Sequence, residues 1–404
     1  MYVSLNASSM AAGILVTCFI IALTVGRLRV PIAFLSLPVA FFFSVVVVYV
    51  VYIASLGGLS LKHCLSVFLL SLMFICAAWV ALAVVSIESG NLIFVLKLLC
   101  VGMVLIGYMS IFFPVTFSNY SKFAKSIFPY SEPSHYAITV SGILLAAGFY
   151  VSFKQRVLLV VSVLFFAVIY PSTLLLLLVL IMLFSYYAHS FFKILCAFII
   201  LGMVVVLVVY AGVDLSYYED RLKLNQSTSN LTALVYLQGW NDAYRAFFST
   251  NGLGLGFQNL GSLAPGDIGE KIYQLSGIYK NREDGGFLAA KLIGEFGVFG
   301  LALLFLYVFS LFKAALYNLE FFKIYKMDRA VALHMFPAYS IFGSSLVVAF
   351  SIELFARGYG YFSPGVLLVM VAFFLKTKQK VAASDRNVLT IIGQITRRLT
   401  INNR

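Results

Sequence analysis

Four groups of residues have types and spacings that can do chemistry. The first is Ser131-Glu132-Pro133-Ser134-His135-Tyr136. Pro133 suits the first turn of a helix, and either serine can cap one. On such a helix Glu132 and His135 share a face. A carboxylate and an imidazole so placed can take a proton from a hydroxyl or orient it. A plain helix cap would use the same residues.

The second group is Gly239, Trp240, Tyr244 and Arg245, followed by Asn251-Gly252-Leu253-Gly254-Leu255-Gly256. Arginine holds phosphate oxygens in a bidentate fork. Glycines such as Gly254 and Gly256 let backbone approach a ligand closely. The run lacks the Gly-Lys-Ser/Thr ending of a nucleotide phosphate loop. The third group, Lys280-Asn281-Arg282-Glu283-Asp284-Gly285-Gly286, offers either a solvated helix cap or a second phosphate cluster. Beyond it, Lys291 and Glu295 stand four residues apart inside an apolar run. They either neutralise each other or mark a functional intramembrane site. The fourth group is Lys97 with Glu353 and Arg357, the last two also spaced as a candidate pair. The five cysteines and four histidines show no metal-ligand spacing, and no metal or other cofactor is expected.

Composition describes the elements that must position these groups. Of 404 residues, 62% are hydrophobic and 11% are charged, and the mean hydropathy is +1.01. Soluble domains carry about a quarter charged residues, so lipid must solvate much of this chain. The net charge of +13 sits in short gaps between apolar runs. That distribution argues against nucleic acid as a partner and matches the positive-inside signal. Eleven runs have the composition of membrane helices: 10–26, 31–56, 64–87, 91–113, 136–153, 157–170, 172–188, 190–212, 287–312, 331–352 and 360–375. None alternates in polarity as barrel strands do. Backbone in lipid must bond within its own segment. The expected fold class is therefore an all-α polytopic membrane protein with 10 to 12 spans. Within 157–188, Tyr170-Pro171-Ser172-Thr173 predicts two short helices with a turn between them.

Eleven spans place Arg27, Arg29, Lys154, Arg156, Lys193, Lys313, Lys323, Lys326, Arg329 and the basic tail on one side, the cytoplasm. The N-terminus is then outside and the C-terminus inside. Met1 to Met10 lacks the basic start of a cleaved signal, so the first run is expected to be retained. The polar stretch 214–286 falls outside. It contains a periodic apolar pattern over 231–248 that predicts a helix. The chain divides into a bundle (1–213), a large outer loop (214–286), further membrane helices (287–375) and a basic cytoplasmic tail (376–404).

These features resemble the O-antigen polymerase (Wzy-type) family. The Glu132-Pro133-Ser134 triplet opening a helix looks like the family's outer-loop motif. Arg245 and Gly256, with ten residues between them, look like its Arg-x10-Gly pattern. The turn Asn281…Asp284-Gly285-Gly286 leading to Glu295-Phe296-Gly297 is similar to the end of the family's large loop. Where the family has a second Arg-x10-Gly pattern, in 114–135, this chain offers Lys122 and Lys125. The resemblance implies a GT-C-like glycosyltransferase at the periplasmic face of a bacterial inner membrane. It would polymerise oligosaccharide repeat units carried on undecaprenyl pyrophosphate. The resemblance also implies a chain-length regulator protein as a partner. In that chemistry Arg245 and Arg282 would stabilise the pyrophosphate, helped by Lys122 and Lys125. Glu132 or His135 would serve the acceptor hydroxyl. Trp240, Tyr244 and Tyr279 would offer sugar platforms, and Gly254, Gly256, Asn281, Asp284, Lys291 and Glu295 would complete the substrate site.

Two alternatives are kept. An O-antigen ligase, moving finished glycan to lipid A-core, resembles a polymerase in outline but uses a histidine late in the large loop. Residues 214–286 contain none. A repeat-unit flippase would have only short loops, against the long stretch here.

Overall fold

The computed structural model describes residues 10–28, 37–55, 58–113, 126–130, 132–188, 202 and 228–377. Lys122, Lys125, Ser131, the apolar run 190–212 apart from Gly202, and the tail beyond 377 lie outside the described residues. Among those described, every regular element is a helix. In chain order they are α1 (Ala11–Val25), α2 (Leu37–Ser55), α3 (Leu61–Ser86), α4 (Ser89–Phe112), α5 (Pro133–Phe149), α6 (Phe153–Ile169) and α7 (Thr173–Tyr187). There follow α8 (Leu231–Ser249), α9 (Asp267–Ser276), α10 (Leu288–Met327), α11 (Arg329–Met335), α12 (Ala338–Phe355) and α13 (Pro364–Thr377).

Among the described residues, five helices are long and apolar enough to cross a membrane: Pro38–Ser55, Leu61–Ser86, Ser89–Phe112, Leu288–Met327 and Ala338–Phe355. The described residues are therefore all-helical in their regular structure, and the protein is membrane-embedded. Helix α6 stops before Pro171, and Ser172 caps α7 by accepting from the Leu175 amide at 3.4 Å, so the predicted break is present. The run 331–352 proves to be two helices, because Pro337 interrupts it between α11 and α12. The run 287–312 is longer than expected and continues to Met327.

Helices α5 and α12 pack tightly and hold the first group of chemical residues at one end. Small residues make this possible, as membrane helices need close approach in place of a hydrophobic driving force. At Gly142 a Cβ would collide with Leu346, and at Gly148 with the Tyr186 hydroxyl. At the other end Arg156 donates to the Gly148 carbonyl at 2.7 Å and the Val151 carbonyl at 2.9 Å, capping α5.

Helix α10 is broken near its start. Gly297 takes φ 55° and ψ −124°. The glycine run 252–256 docks there. Val298 donates to the Gly252 carbonyl at 2.8 Å, Leu255 to Gly294 at 2.9 Å and Gly256 to Glu295 at 2.8 Å. Gly252, Gly254 and Gly256 all have positive φ, which L-residues with a Cβ adopt at a cost. The Tyr49 hydroxyl of α2 adds bonds to the Leu253 and Phe296 carbonyls. The large loop is thus fastened to the membrane helices by its own backbone.

Candidate active site

The loop between α12 and α13 joins two polar clusters. In Arg357-Gly358-Tyr359-Gly360-Tyr361, the odd positions carry the functional side chains and the glycines permit close contact. Arg357 donates from Nη2 to Glu132 Oε2 at 2.7 Å. The Ser134 hydroxyl donates to the same oxygen at 2.8 Å and meets the Tyr359 hydroxyl at 3.2 Å. His135 packs edge-on against the Tyr359 ring, with centroids 4.5 Å apart. Glu132 and His135 therefore do share one cluster. Glu132 is the N-cap residue of α5, Pro133 occupies its first turn, and the Glu132 side chain makes no capping bond. It is turned to Arg357 instead. Burial pushes the Tyr359 hydroxyl up to about 12, with Arg357 opposing and Glu132 adding to the shift.

The second cluster lies at the head of α10. Glu295 is fully buried and Lys291 is 1% exposed. They pair at 3.0 Å, and Lys291 also lies 3.7 Å from Asp284. Glu295 accepts from the Gln258 amide at 3.0 Å, the Leu260 amide at 3.3 Å and the Tyr361 hydroxyl at 2.8 Å. Lys291 donates to the Glu283 carbonyl and sits 5.3 Å from the Tyr361 ring centroid. Both charges are compensated, as buried charges must be. The two clusters meet along the loop. Gly358 donates to the Gly286 carbonyl at 3.0 Å, and a Cβ at Gly360 would press on Asp284.

A third cluster holds the arginines. Arg245 donates to the Ala264 carbonyl at 2.9 Å and lies 3.8 Å from Asp242. Arg282 donates to the neighbouring Leu263 carbonyl. The two arginines thus converge on one turn, with Asp242 acting between them. Burial raises the Asp242 carboxyl, while Arg282, Gln238 and Arg245 pull it down. Gln238 donates to Asp242 at 3.4 Å and to the Lys280 carbonyl at 3.4 Å. Two buried atoms here have no hydrogen bond, the Arg282 Nε donor and the Gln238 Oε1 acceptor. Orphaned polar atoms of this kind call for a ligand or water.

Comparison with protein-family models, with characterised proteins and with solved structures finds no match.

The remaining candidates fall around these clusters. Trp240 packs on Phe287 with centroids 4.9 Å apart, anchoring α8 to the head of α10. Tyr244 is exposed and packs on Phe248 at 4.5 Å. Tyr279 stacks on Tyr273 at 4.7 Å, donates to Glu270 at 3.0 Å and faces the Arg282 guanidinium at 5.6 Å. Asn281 takes φ 52°, a turn conformation that asparagine tolerates. Expected to approach a ligand, Gly254 and Gly256 instead approach protein: a Cβ at Gly254 would strike the Glu295 carbonyl, and one at Gly256 the Ile53 side chain. The candidate pair Glu353 and Arg357 is not formed, because Arg357 turns to Glu132. Lys62, at the start of α3, pairs with Glu283 at 2.7 Å and holds its carboxyl below the usual glutamate range. Sequence alone missed Tyr359, Tyr361, Asp242 and Gln238. The Gly/Tyr alternation of 357–361 was the available signal for the first two.

Proposed function

We propose that this chain joins undecaprenyl-pyrophosphate-linked oligosaccharide repeat units into a surface polysaccharide at the outer face of a bacterial inner membrane. The proposal includes eleven spans, a GT-C-like arrangement, an outer loop 214–286 and a cytoplasmic C-terminus. Its main support is the convergence of residues chosen for their chemistry. Arg245 and Arg282 reach adjacent carbonyls. The turn after Arg282 continues through Asp284 and Gly286 to the loop that holds Glu132.

In the reaction, the acceptor hydroxyl oxygen attacks the anomeric carbon of the donor glycan. The bond from that carbon to the pyrophosphate oxygen breaks, and its electron pair leaves with the lipid pyrophosphate. Arg245 and Arg282 would stabilise that developing charge, using the guanidinium donors not spent on Ala264 and Leu263. Glu132, held by Arg357 and Ser134, would orient the acceptor hydroxyl and take its proton. Tyr279 and Tyr244 present exposed rings to the sugars.

The test is complementation of a deletion strain. Arg245→Ala and Arg282→Ala should each lower polymer by roughly 100-fold, the typical loss on removing one preorganised donor, with the protein still in the membrane. Single-repeat glycan should accumulate. Polymer of wild-type length and amount in both variants would refute the role of the arginines. Loss of all attached glycan, single repeats included, would favour the ligase.

A further inference from the structure

Glu353 stands on α12, one turn before Arg357, and is 1% exposed. Neither carboxyl oxygen has a hydrogen bond among the described residues, and no cation among them pairs with it. Ser363 faces it, but its hydroxyl accepts from the Val366 amide at 3.2 Å and completes no bond to the carboxyl. Glycine at 365 leaves room for the carboxyl in this position, since a Cβ there would collide with Glu353 Oε2 as placed. A carboxylate with neither counter-ion nor donor is too costly in an apolar interior, so the group keeps its proton.

The cation that could have paired with it is four residues on. The Arg357 amide still donates to the Ile352 carbonyl at 3.1 Å, so the chain is still turning with the helix there. Its guanidinium is bonded to Glu132 instead. Arg357 is thus spaced for Glu353 and bonded to Glu132. Tyr359 follows two residues after Arg357, and its hydroxyl meets Ser134, which bonds to Glu132.

The other groups around Glu353 do not compete for it. On α5 they are Glu132 and His135, the latter against Tyr359. At the head of α10, Lys291 and Glu295 hold each other, with Tyr361 bonded to Glu295. The α4 helix has Lys97, with Glu88 just before its start, and Ser89 there meets the far end of α12. Neither α7 nor the first three turns of α13 has a charged residue.

We infer that Glu353 is a proton-binding site and that Arg357 is a cation shared between it and Glu132. In the state seen here Glu132 is charged and paired while Glu353 is protonated. In the other state Arg357 pairs with Glu353, whose proton passes to Glu132. One proton moves one way, the guanidinium moves the other, and net charge is unchanged. If Glu132 serves the acceptor hydroxyl, the exchange sets when it is free to do so. That consequence rests on the proposed function, whereas the exchange itself does not.

The test is labelling of the full chain in membranes with dicyclohexylcarbodiimide, read by peptide mass spectrometry. The reagent takes up the acid proton as the carboxyl oxygen adds to its carbon, so it marks protonated acids in apolar surroundings. At pH 7 wild type should label at Glu353 and not at Glu132. In Arg357→Gln both should label. In Glu132→Gln, Arg357 passes to Glu353, and labelling there should fall by about twofold to tenfold, since a contacting arginine lowers a carboxyl by about one to two units or more. An unlabelled Glu353 in wild type overturns the proton site. Equal Glu353 labelling in wild type and Glu132→Gln overturns the sharing. If Glu132→Gln does not fold, a Glu132 that stays unlabelled in Arg357→Gln overturns it equally. None of these readouts needs glycan, so their failure is separate from failure of the polymerase proposal.

Discussion

Replacing Glu295 by Gln keeps side-chain volume and removes one charge from the centre of the second cluster. Lys291 would then be buried with only Asp284, 3.7 Å away and half-exposed, to balance it. Breaking one side of a buried pair costs about 3–5 kcal/mol. One of the two backbone amides now served, Gln258 or Leu260, loses its acceptor as well, at about 1–3 kcal/mol. These terms overlap and Asp284 offsets part, so a net loss of about 4 kcal/mol is expected. Lys291→Met in the same chain removes the stranded charge. The double variant should therefore be more stable than Glu295→Gln alone, by about 2 kcal/mol. The assay is thermal unfolding of the detergent-purified protein, with protease resistance of the 251–262 segment followed in parallel. A single-variant loss under about 1 kcal/mol, or a double variant less stable than the single, would refute the mutual compensation of this buried pair.

Gly297→Ala should be poorly tolerated. Its Cβ would collide with the Gly252 carbonyl, and φ 55° adds strain of about 1–3 kcal/mol; wild-type yield and melting temperature would contradict the docking of 252–256 onto the broken turn. The Lys62–Glu283 bridge lowers the Glu283 carboxyl. Its contribution is therefore present above the ordinary glutamate value and lost as pH falls through the lower folded value. Both side chains are largely exposed, so it is worth no more than about 1 kcal/mol. Protection from hydrogen exchange over 280–286, taken relative to the intrinsic rate at each pH, should fall on acidification in wild type and lose that dependence in Lys62→Gln. Identical profiles in the two proteins would remove the bridge from the account.

Much of the fold is written in runs of apolar residues, because lipid demands helices of a minimum length. The break at Pro171 was legible for the same reason, as proline removes a donor. So was α8, whose apolar period is intact over 231–248. The split at Pro337 had an equally plain signal in the proline. The site was legible where partners lie close in sequence, as with Lys291 and Glu295, or where a residue type is rare in its setting, as with Glu132, Arg245 and Arg282. It was not legible where the partner is remote. Arg357 has a carboxylate four residues back, yet bonds one 225 residues away. Local spacing favours Glu353, and the packing of α5 against α12 favours Glu132. The glycines of 252–256 carry positive φ as their type allows, but only the tertiary structure says that they meet α10.

The most direct test of the polymerase proposal is reconstitution. The purified chain, in vesicles supplied with a single undecaprenyl-pyrophosphate-linked repeat unit and no nucleotide sugar, should convert it to a ladder of whole-repeat multiples. Arg245→Ala and Arg282→Ala should leave the unit unextended. A wild-type protein, folded and inserted, that leaves its host's own repeat unit unextended would contradict the proposal.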